Sequence, residues 1–134
     1  MFGIFQQSNL RIEIAATDQA LRESLTQPAK LRQWLAPVQL DQGLPEQLQP
    51  GLSYTSWIGP VPVQQYVDLV DAHSLRLLLS KGIDGYHEWA WGDGWVQSRL
   101  EGISLLPLNL SQTFSLLKLK QFLATIEEKP LGYP

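Results

Sequence analysis

The sequence holds two imidazoles and no thiol, so any side chain titrating near neutral pH must be His73 or His87. His73 sits close to Asp68 and Asp71, a set of donor types that could hold a metal ion. The same residues at a hairpin end are the ordinary, solvated residues of a turn, and no metal site is expected. His87 is followed by Glu88, but neighbours on a strand point to opposite faces, so the two form no catalytic dyad. Gly-x-Ser-x-Gly, P-loop, Gly-x-Gly-x-x-Gly and His-Glu-x-x-His patterns do not occur, which removes the common hydrolase, nucleotide and zinc signatures. Without cysteine there are no disulfides, thiolate metal sites, iron–sulfur clusters or Cys nucleophiles. The sequence contains no complete catalytic motif, and it implies no cofactor. What remains are single polar residues within hydrophobic strands, namely Tyr54, Ser56, Gln65, His87 and Ser98.

The elements that carry these residues follow from periodicity. Leu10, Ile12 and Ile14 alternate with Arg11 and Glu13, which predicts a first strand over Leu10–Ala16. Thr17 can cap a short helix with Ala20, Leu21 and Leu25 inward, and Thr26 can cap a second with Pro28 in its first turn and Leu31, Trp34 and Leu35 inward. Pro37 stops that helix, and Asp41–Gly51, broken by Pro45 and Pro50, reads as a turn-rich rim with at most a short strand. Five strands follow, over Leu52–Ile58, Val61–Val70, Leu75–Lys81, Tyr86–Gly92 and Trp95–Ile103. Gly59-Pro60, Ile83-Asp84-Gly85 and Asp93-Gly94 read as the hairpin turns of an antiparallel meander. After Pro107, Leu116, Leu119, Leu123 and Ile126 mark one long amphipathic helix, flanked by Phe114 and Phe122.

At 134 residues the chain reads as one α+β domain over 1–134, with its core from about residue 10 to residue 127. A hydrophobic share of 44% against 17% charged residues is that of a globular protein, and a net charge of -3 without a basic run argues against nucleic acid as a partner. Arg76 and Lys81 interrupt the most hydrophobic region, so no membrane span is expected, and Met1–Phe5 lacks the features of a signal peptide. The expected location is cytoplasmic.

In this order of elements the chain resembles the START-like, or SRPBCC, superfamily, also called Bet v 1-like. The resemblance rests on Ile12-Glu13-Ile14-Ala15-Ala16, on Leu25-Thr26-Gln27-Pro28 with Leu31 and Trp34, on Leu48-Gln49-Pro50-Gly51, and on the terminal helix. Where the family commonly has Pro after the first strand and an aromatic in the first helix, this chain has Thr17 and Leu21. The resemblance implies a helix-grip fold: a curved antiparallel sheet around a long C-terminal helix, with two short helices after strand 1. It implies a pocket for a hydrophobic small molecule between helix and sheet. Some members are cyclases, dehydratases or hydrolases, but with no shared catalytic residue, so a pocket transfers and a reaction does not.

Turn chemistry predicts which side chains face that pocket, because a one-residue slip in register turns every side chain over. A two-residue type I′ turn at Asp93-Gly94 sets Trp91 opposite Val96, Trp89 opposite Ser98, His87 opposite Leu100 and Glu88 opposite Arg99. A three-residue loop at Ile83-Asp84-Gly85 sets Leu79 opposite Trp89 and Leu77 opposite Trp91, on the same face. The predicted ligand-binding wall is Tyr54, Gln65, Leu77, Leu79, His87, Trp89, Trp91, Ser98 and Leu100, extended along the Val61–Val70 strand by Val63, Val67 and Leu69. The plain alternative is that Trp89 and Trp91 fill the space as core, and that His87 is a satisfied interior histidine. Trp57 and Trp95 point outward near Tyr66 and Leu78, either as a surface for a protein partner or as aromatics covered by Met1–Ser8. Binding of a hydrophobic small molecule is the first reading. An enzyme using His87 or Tyr54 for proton transfer is the second, and a protein-interaction module the third.

Overall fold

The computed structural model describes residues 3–128, with side chains as far as Thr125. The alternating first segment is β1, Ile4–Glu13, which begins six residues earlier than its hydrophobic alternation suggests. Its inward residues before Leu10 are Gln6 and Ser8, so apolar patterning was blind to them; both are anchors for the terminal helix. α1, Asp18–Thr26, starts as expected: the Thr17 side-chain oxygen accepts from Ala20 N at 3.1 Å. α2, Pro28–Leu35, has Gln27 and not Thr26 at its N-cap, because the Thr26 hydroxyl donates back to Arg22 O within α1. Leu21, Leu25, Leu31 and Trp34 are buried. A two-residue β2, Gln39–Leu40, precedes the Pro-rich connection rather than lying within it. That connection is tied down at both ends, by Thr55 N donating to Asp41 Oδ2 at 2.8 Å and by Leu48 N donating to Thr26 O at 2.8 Å.

The meander follows as β3 (Ser53–Ile58), β4 (Val61–Val70), β5 (Ser74–Lys81), β6 (Ile83–Gly92) and β7 (Trp95–Ser104). With β1 beside β7 and β2 beside β3, they make one antiparallel seven-stranded sheet in the order β1-β7-β6-β5-β4-β3-β2. The Gly59-Pro60 hairpin sets Ser56 opposite Val63 and Tyr54 opposite Gln65. The Asp93-Gly94 hairpin has the predicted register, with Trp91 opposite Val96, Trp89 opposite Ser98, His87 opposite Leu100 and Glu88 opposite Arg99. Its turn is not type I′, since only Gly94 takes a positive φ, of 83°, and Asp93 does not.

The β5–β6 register differs from expectation. Leu75 pairs with Trp89, Leu77 with His87 and Leu79 with Gly85, a displacement of four residues along β6. The turn is made by Lys81, at φ 71°, with Gly82, leaving Ile83, Asp84 and Gly85 inside β6. Gly85 serves close approach instead: a Cβ there would lie 1.9 Å from Glu101 O, across the Gly85–Gly102 pair of β6 and β7. The displacement is even, so the predicted faces survive it. On β4 a bulge between Val67 and Leu69 inserts Asp68, which turns Leu69 outward, opposite Arg76, and brings Val70 opposite Leu75.

α3, Leu108–Glu128, covers the concave face with Leu108, Gln112, Leu116, Leu119 and Leu123 buried. The spacing is one helical stripe. Phe114 is exposed, Phe122 packs against the core, and the Ile126 side chain lies outside the described residues. Gln6 fixes the start of α3: its Oε1 accepts from Leu108 N at 3.0 Å while its amide donates to Leu106 O at 2.8 Å. No helix among the described residues is long and apolar enough to cross a membrane.

On the convex face, Trp57 and Tyr66 are exposed as expected, and Leu78 lies between Tyr66 and Tyr86. Ile4–Ser8 does not cover them, because it is part of edge strand β1, on the far side of β7; Met1 and Phe2 lie outside the described residues. Trp95 is on β7, three strands from β4, with the Arg11 guanidinium 4.3 Å above its ring. Between Trp57 and Trp95 runs a charged row, Arg76, Glu88 and Arg99, so the two indoles do not share one apolar patch. Glu88 directs its carboxylate to Arg76 at 3.5 Å, not to Arg99, and Arg76 also reaches Asp68 at 3.6 Å.

Candidate functional site

Sheet, α2 and α3 do not close on one another completely. They leave a cavity of about 120 Å³ walled by side chains of β2–β7, α1, α2 and α3. Seven of the nine residues expected on a ligand wall border it: Tyr54, Gln65, Leu77, Leu79, His87, Trp89 and Leu100. Trp91 and Ser98 do not. Both lie on the concave face, but Trp91 is enclosed by core with its indole Nε1 unpartnered, and Ser98 lies behind His87. Val63 also borders the cavity, whereas Val67 is sealed within the core and Leu69 faces outward.

The helices complete the wall. Leu31, Trp34 and Leu35 come from α2, and Trp34 meets Trp89 edge to face at a centroid distance of 6.3 Å. The Trp34 indole donates to Ser24 O at 2.8 Å, so its ring is held in place by a partner outside the cavity. From α3 come Ser111, Gln112 and Ser115, none of which apolar patterning singles out. Gln112 could have been found in the sequence, since it lies four residues before Leu116 on the stripe that buries Leu116, Leu119 and Leu123.

The polar groups form two separate clusters. On β3 and β4, the Tyr54 hydroxyl donates to Gln65 Oε1 at 3.2 Å, and Gln65 Nε2 donates to Ser56 Oγ at 2.8 Å. Burial pushes the Tyr54 phenol well above its ordinary value, so it stays protonated. On β6 and β7, His87 Nε2 lies 2.6 Å from Ser98 Oγ, and Gln112 Nε2 donates to Ser98 Oγ at 2.9 Å and Ser98 O at 2.7 Å. Burial pushes His87 down to about 3, so its ring is neutral throughout the physiological range. The residue is nevertheless only half-buried, and it borders the cavity. No charged side chain borders that space among the described residues.

The other candidate cluster is a surface fastening. His73 Nε2 lies 2.9 Å from Asp18 Oδ2 at the start of α1, and Asp71 Oδ1 accepts from His73 N and the Ser74 hydroxyl. Asp68 turns away toward Arg76. No group of three or more metal-ligating acids and histidines exists among the described residues.

No protein-family model matches the sequence, and no curated protein matches it. Solved structures do match. DynU16, a putative protein of the dynemicin biosynthetic locus, is 16% identical, with a TM-score of 0.67 over 89% of this chain and 47% of that one. The present chain therefore spans less than half of DynU16. Norcoclaurine synthase from Thalictrum flavum, solved with dopamine and hydroxybenzaldehyde, is 12% identical with a TM-score of 0.62, over 96% and 91% of the two chains. Major latex-like protein 151 from Panax ginseng is 12% identical with a TM-score of 0.63, over 92% and 98%. With its seven-stranded antiparallel sheet, two short helices and long final helix, the chain has the helix-grip fold of the Bet v 1-like, or SRPBCC, proteins.

Proposed function

We propose that this protein binds a neutral, hydrophobic small molecule in the space between its sheet and α3. The reading is carried by the cavity itself: a hollow remains where Leu31, Trp34, Leu77, Trp89 and Leu100 could have met in solid core. Packing normally removes such voids, and each unfilled one lowers stability. At about 120 Å³ the space suits a ligand of one ring or a short branched chain, since an apolar cavity of roughly 150 Å³ admits benzene. The norcoclaurine synthase structure, with single-ring compounds bound, supports that ligand size by analogy of fold alone.

Binding stands ahead of catalysis for an electrostatic reason. Proton transfer at neutral pH needs a group poised near that pH, whereas His87 is too weak a base and Tyr54 too weak an acid. Both are suited to neutral hydrogen bonds. The test is titration with toluene and other single-ring probes, followed by amide and indole NMR shifts and by thermal stability. Shifts confined to residues around the cavity are expected, with stabilisation that grows as the logarithm of ligand concentration above Kd. A panel that leaves both observables unchanged would show that the hollow is not a binding site.

A further inference from the structure

We propose that the ligand carries a hydrogen-bond acceptor, a carbonyl or ether oxygen on an otherwise hydrophobic body, received by the Nδ1–H of His87. This inference rests on the proposed binding function and narrows it to a chemical class. It comes from the direction of a hydrogen-bond chain that runs from the surface to the cavity, and the direction can be worked out atom by atom.

Gln112 sets the orientation. Its Nε2 lies 2.7 Å from the carbonyl oxygen of Ser98 and 3.3 Å from that of Ser8, acceptors that only the NH2 end of the amide can face. Its Oε1 therefore accepts, and Ser8 Oγ donates to it at 2.5 Å. Having given its proton away, the Ser8 hydroxyl accepts from Asn109 Nδ2 at 2.8 Å. At the inner end, the Gln112 Nε2 hydrogen directed at Ser98 is shared between its carbonyl oxygen and its Oγ, the latter at 2.9 Å. The Ser98 hydroxyl proton then has one acceptor within reach, His87 Nε2 at 2.6 Å. Ser98 is 0% exposed, so water cannot substitute.

If Nε2 carried the hydrogen instead, two hydrogens would compete for the Ser98–His87 contact and the buried hydroxyl would lose its partner. An unmade buried hydrogen bond disfavours that tautomer by roughly ten- to a hundredfold. The neutral ring consequently bears its proton on Nδ1. Desolvation opposes a second proton on the ring. Nδ1 has no hydrogen-bond partner among the described residues, yet it is not among the sealed, unsatisfied atoms, and His87 borders the cavity. With Nε2 committed to Ser98, we place this donor toward the space a ligand would fill. Trp89, whose ring centroid lies 4.6 Å from that of His87, limits the imidazole's freedom to turn away. With no charged group on the wall, a neutral oxygen is favoured over a carboxylate.

Long-range ¹H–¹⁵N NMR of the imidazole rings reads the tautomer directly, with His73→Asn assigning the signals. A protonated Nδ1 and a bare Nε2 are expected for His87; the reverse pattern overturns the proposal whether or not any probe binds. Acetophenone and α-methylstyrene then form a matched pair, differing in C=O against C=CH2. Acetophenone should bind about 3- to 10-fold more tightly, the value of one neutral hydrogen bond. That preference should fall to near unity in His87→Phe. Equal binding of the pair to the native protein overturns the acceptor proposal while leaving the cavity a binding site. Binding of neither overturns both. Should His87→Phe not fold, Ser98→Ala provides the second test: removing the hydroxyl should produce a mixture of tautomers, and a ring that stays wholly Nδ1-protonated contradicts the role given to Ser98.

Discussion

Trp89 and Trp91 are two residues apart on the same face of β6, and their surroundings differ completely. Around Trp91 the concave face is solid: the residue is 1% exposed, does not border the cavity, and has the fully buried Val96 opposite it. Around Trp89 the sheet and α2 separate enough to leave a hollow bordered by Tyr54, Gln65 and His87. The difference shows that an aromatic stripe with strand periodicity specifies an inward face but not whether that face is filled. The helices opposite decide that. Beside Trp89, Trp34 meets the ring by its edge, and α3 presents the small or polar Ser111, Gln112 and Ser115 to the gap.

Truncation should separate the two positions most strongly. Trp91→Ala is expected to cost about 3–5 kcal/mol, the range for an aromatic removed from a close-packed interior. Trp89→Ala should cost about 2 kcal/mol, since one side of the ring already borders empty space, and should shift probe preference from one-ring to two-ring compounds. Urea denaturation of both variants checks the ranking; equal losses would mean that the hollow does not lessen the packing role of Trp89.

A titration contrasts the two regions again, because only the hollow one contains an ionisable imidazole. His87 binds its proton near pH 6.5 when unfolded and near 3 when folded, so falling pH favours the unfolded chain throughout that interval. Nothing is lost above the upper limit, and between pH 7 and pH 5 the loss is about 2 kcal/mol. Asp71 is held below the ordinary carboxylate value, chiefly by the Ser74 hydroxyl, and so adds no slope between pH 7 and pH 5. In a folded His87→Phe protein the slope should be absent between pH 5 and pH 7. A slope that persists would place its source elsewhere.

The smallest effect is expected on the convex face. Glu88→Lys breaks the exposed contact with Arg76 and places like charges together, at a cost of at most about 1 kcal/mol in the same denaturation experiment. Probe binding should not change, because the side chain at position 88 points away from the cavity.

The sequence specifies faces more reliably than registers. Period-two alternation identified the inward residues of β5, β6 and β7, and Asp93-Gly94 supplied a register that the structure shares. Ile83-Asp84-Gly85 misled because glycine serves two physical purposes. Gly85 is needed where two backbones crowd together, while the turn one step earlier uses Lys81 in a left-handed conformation that lysine seldom adopts. The reversal at Leu69 depends on one inserted residue, Asp68, in a segment whose alternation continues unbroken. For the site, the hydrophobic wall was legible from the strands, and Gln112 from its place on the α3 stripe. Gln6 and Ser8 were not, because interior polar side chains are identified by their partners, and those partners are about a hundred residues away.

That separation bears on how the protein is made. β1 is synthesised early but pairs only with β7, Ile4 opposite Ser104. A ribosome must therefore deliver the whole meander before the first strand has a neighbour. Until then β1 is an unpaired edge, the kind of segment on which chaperones act and from which aggregates grow. Ser8 and Gln112 then meet only once α3 has followed, so the relay to His87 is completed last. Contacts this distant in sequence slow folding. Substitutions at Leu10 and Ile12 should chiefly accelerate unfolding, leaving the rate of meander formation nearly unchanged.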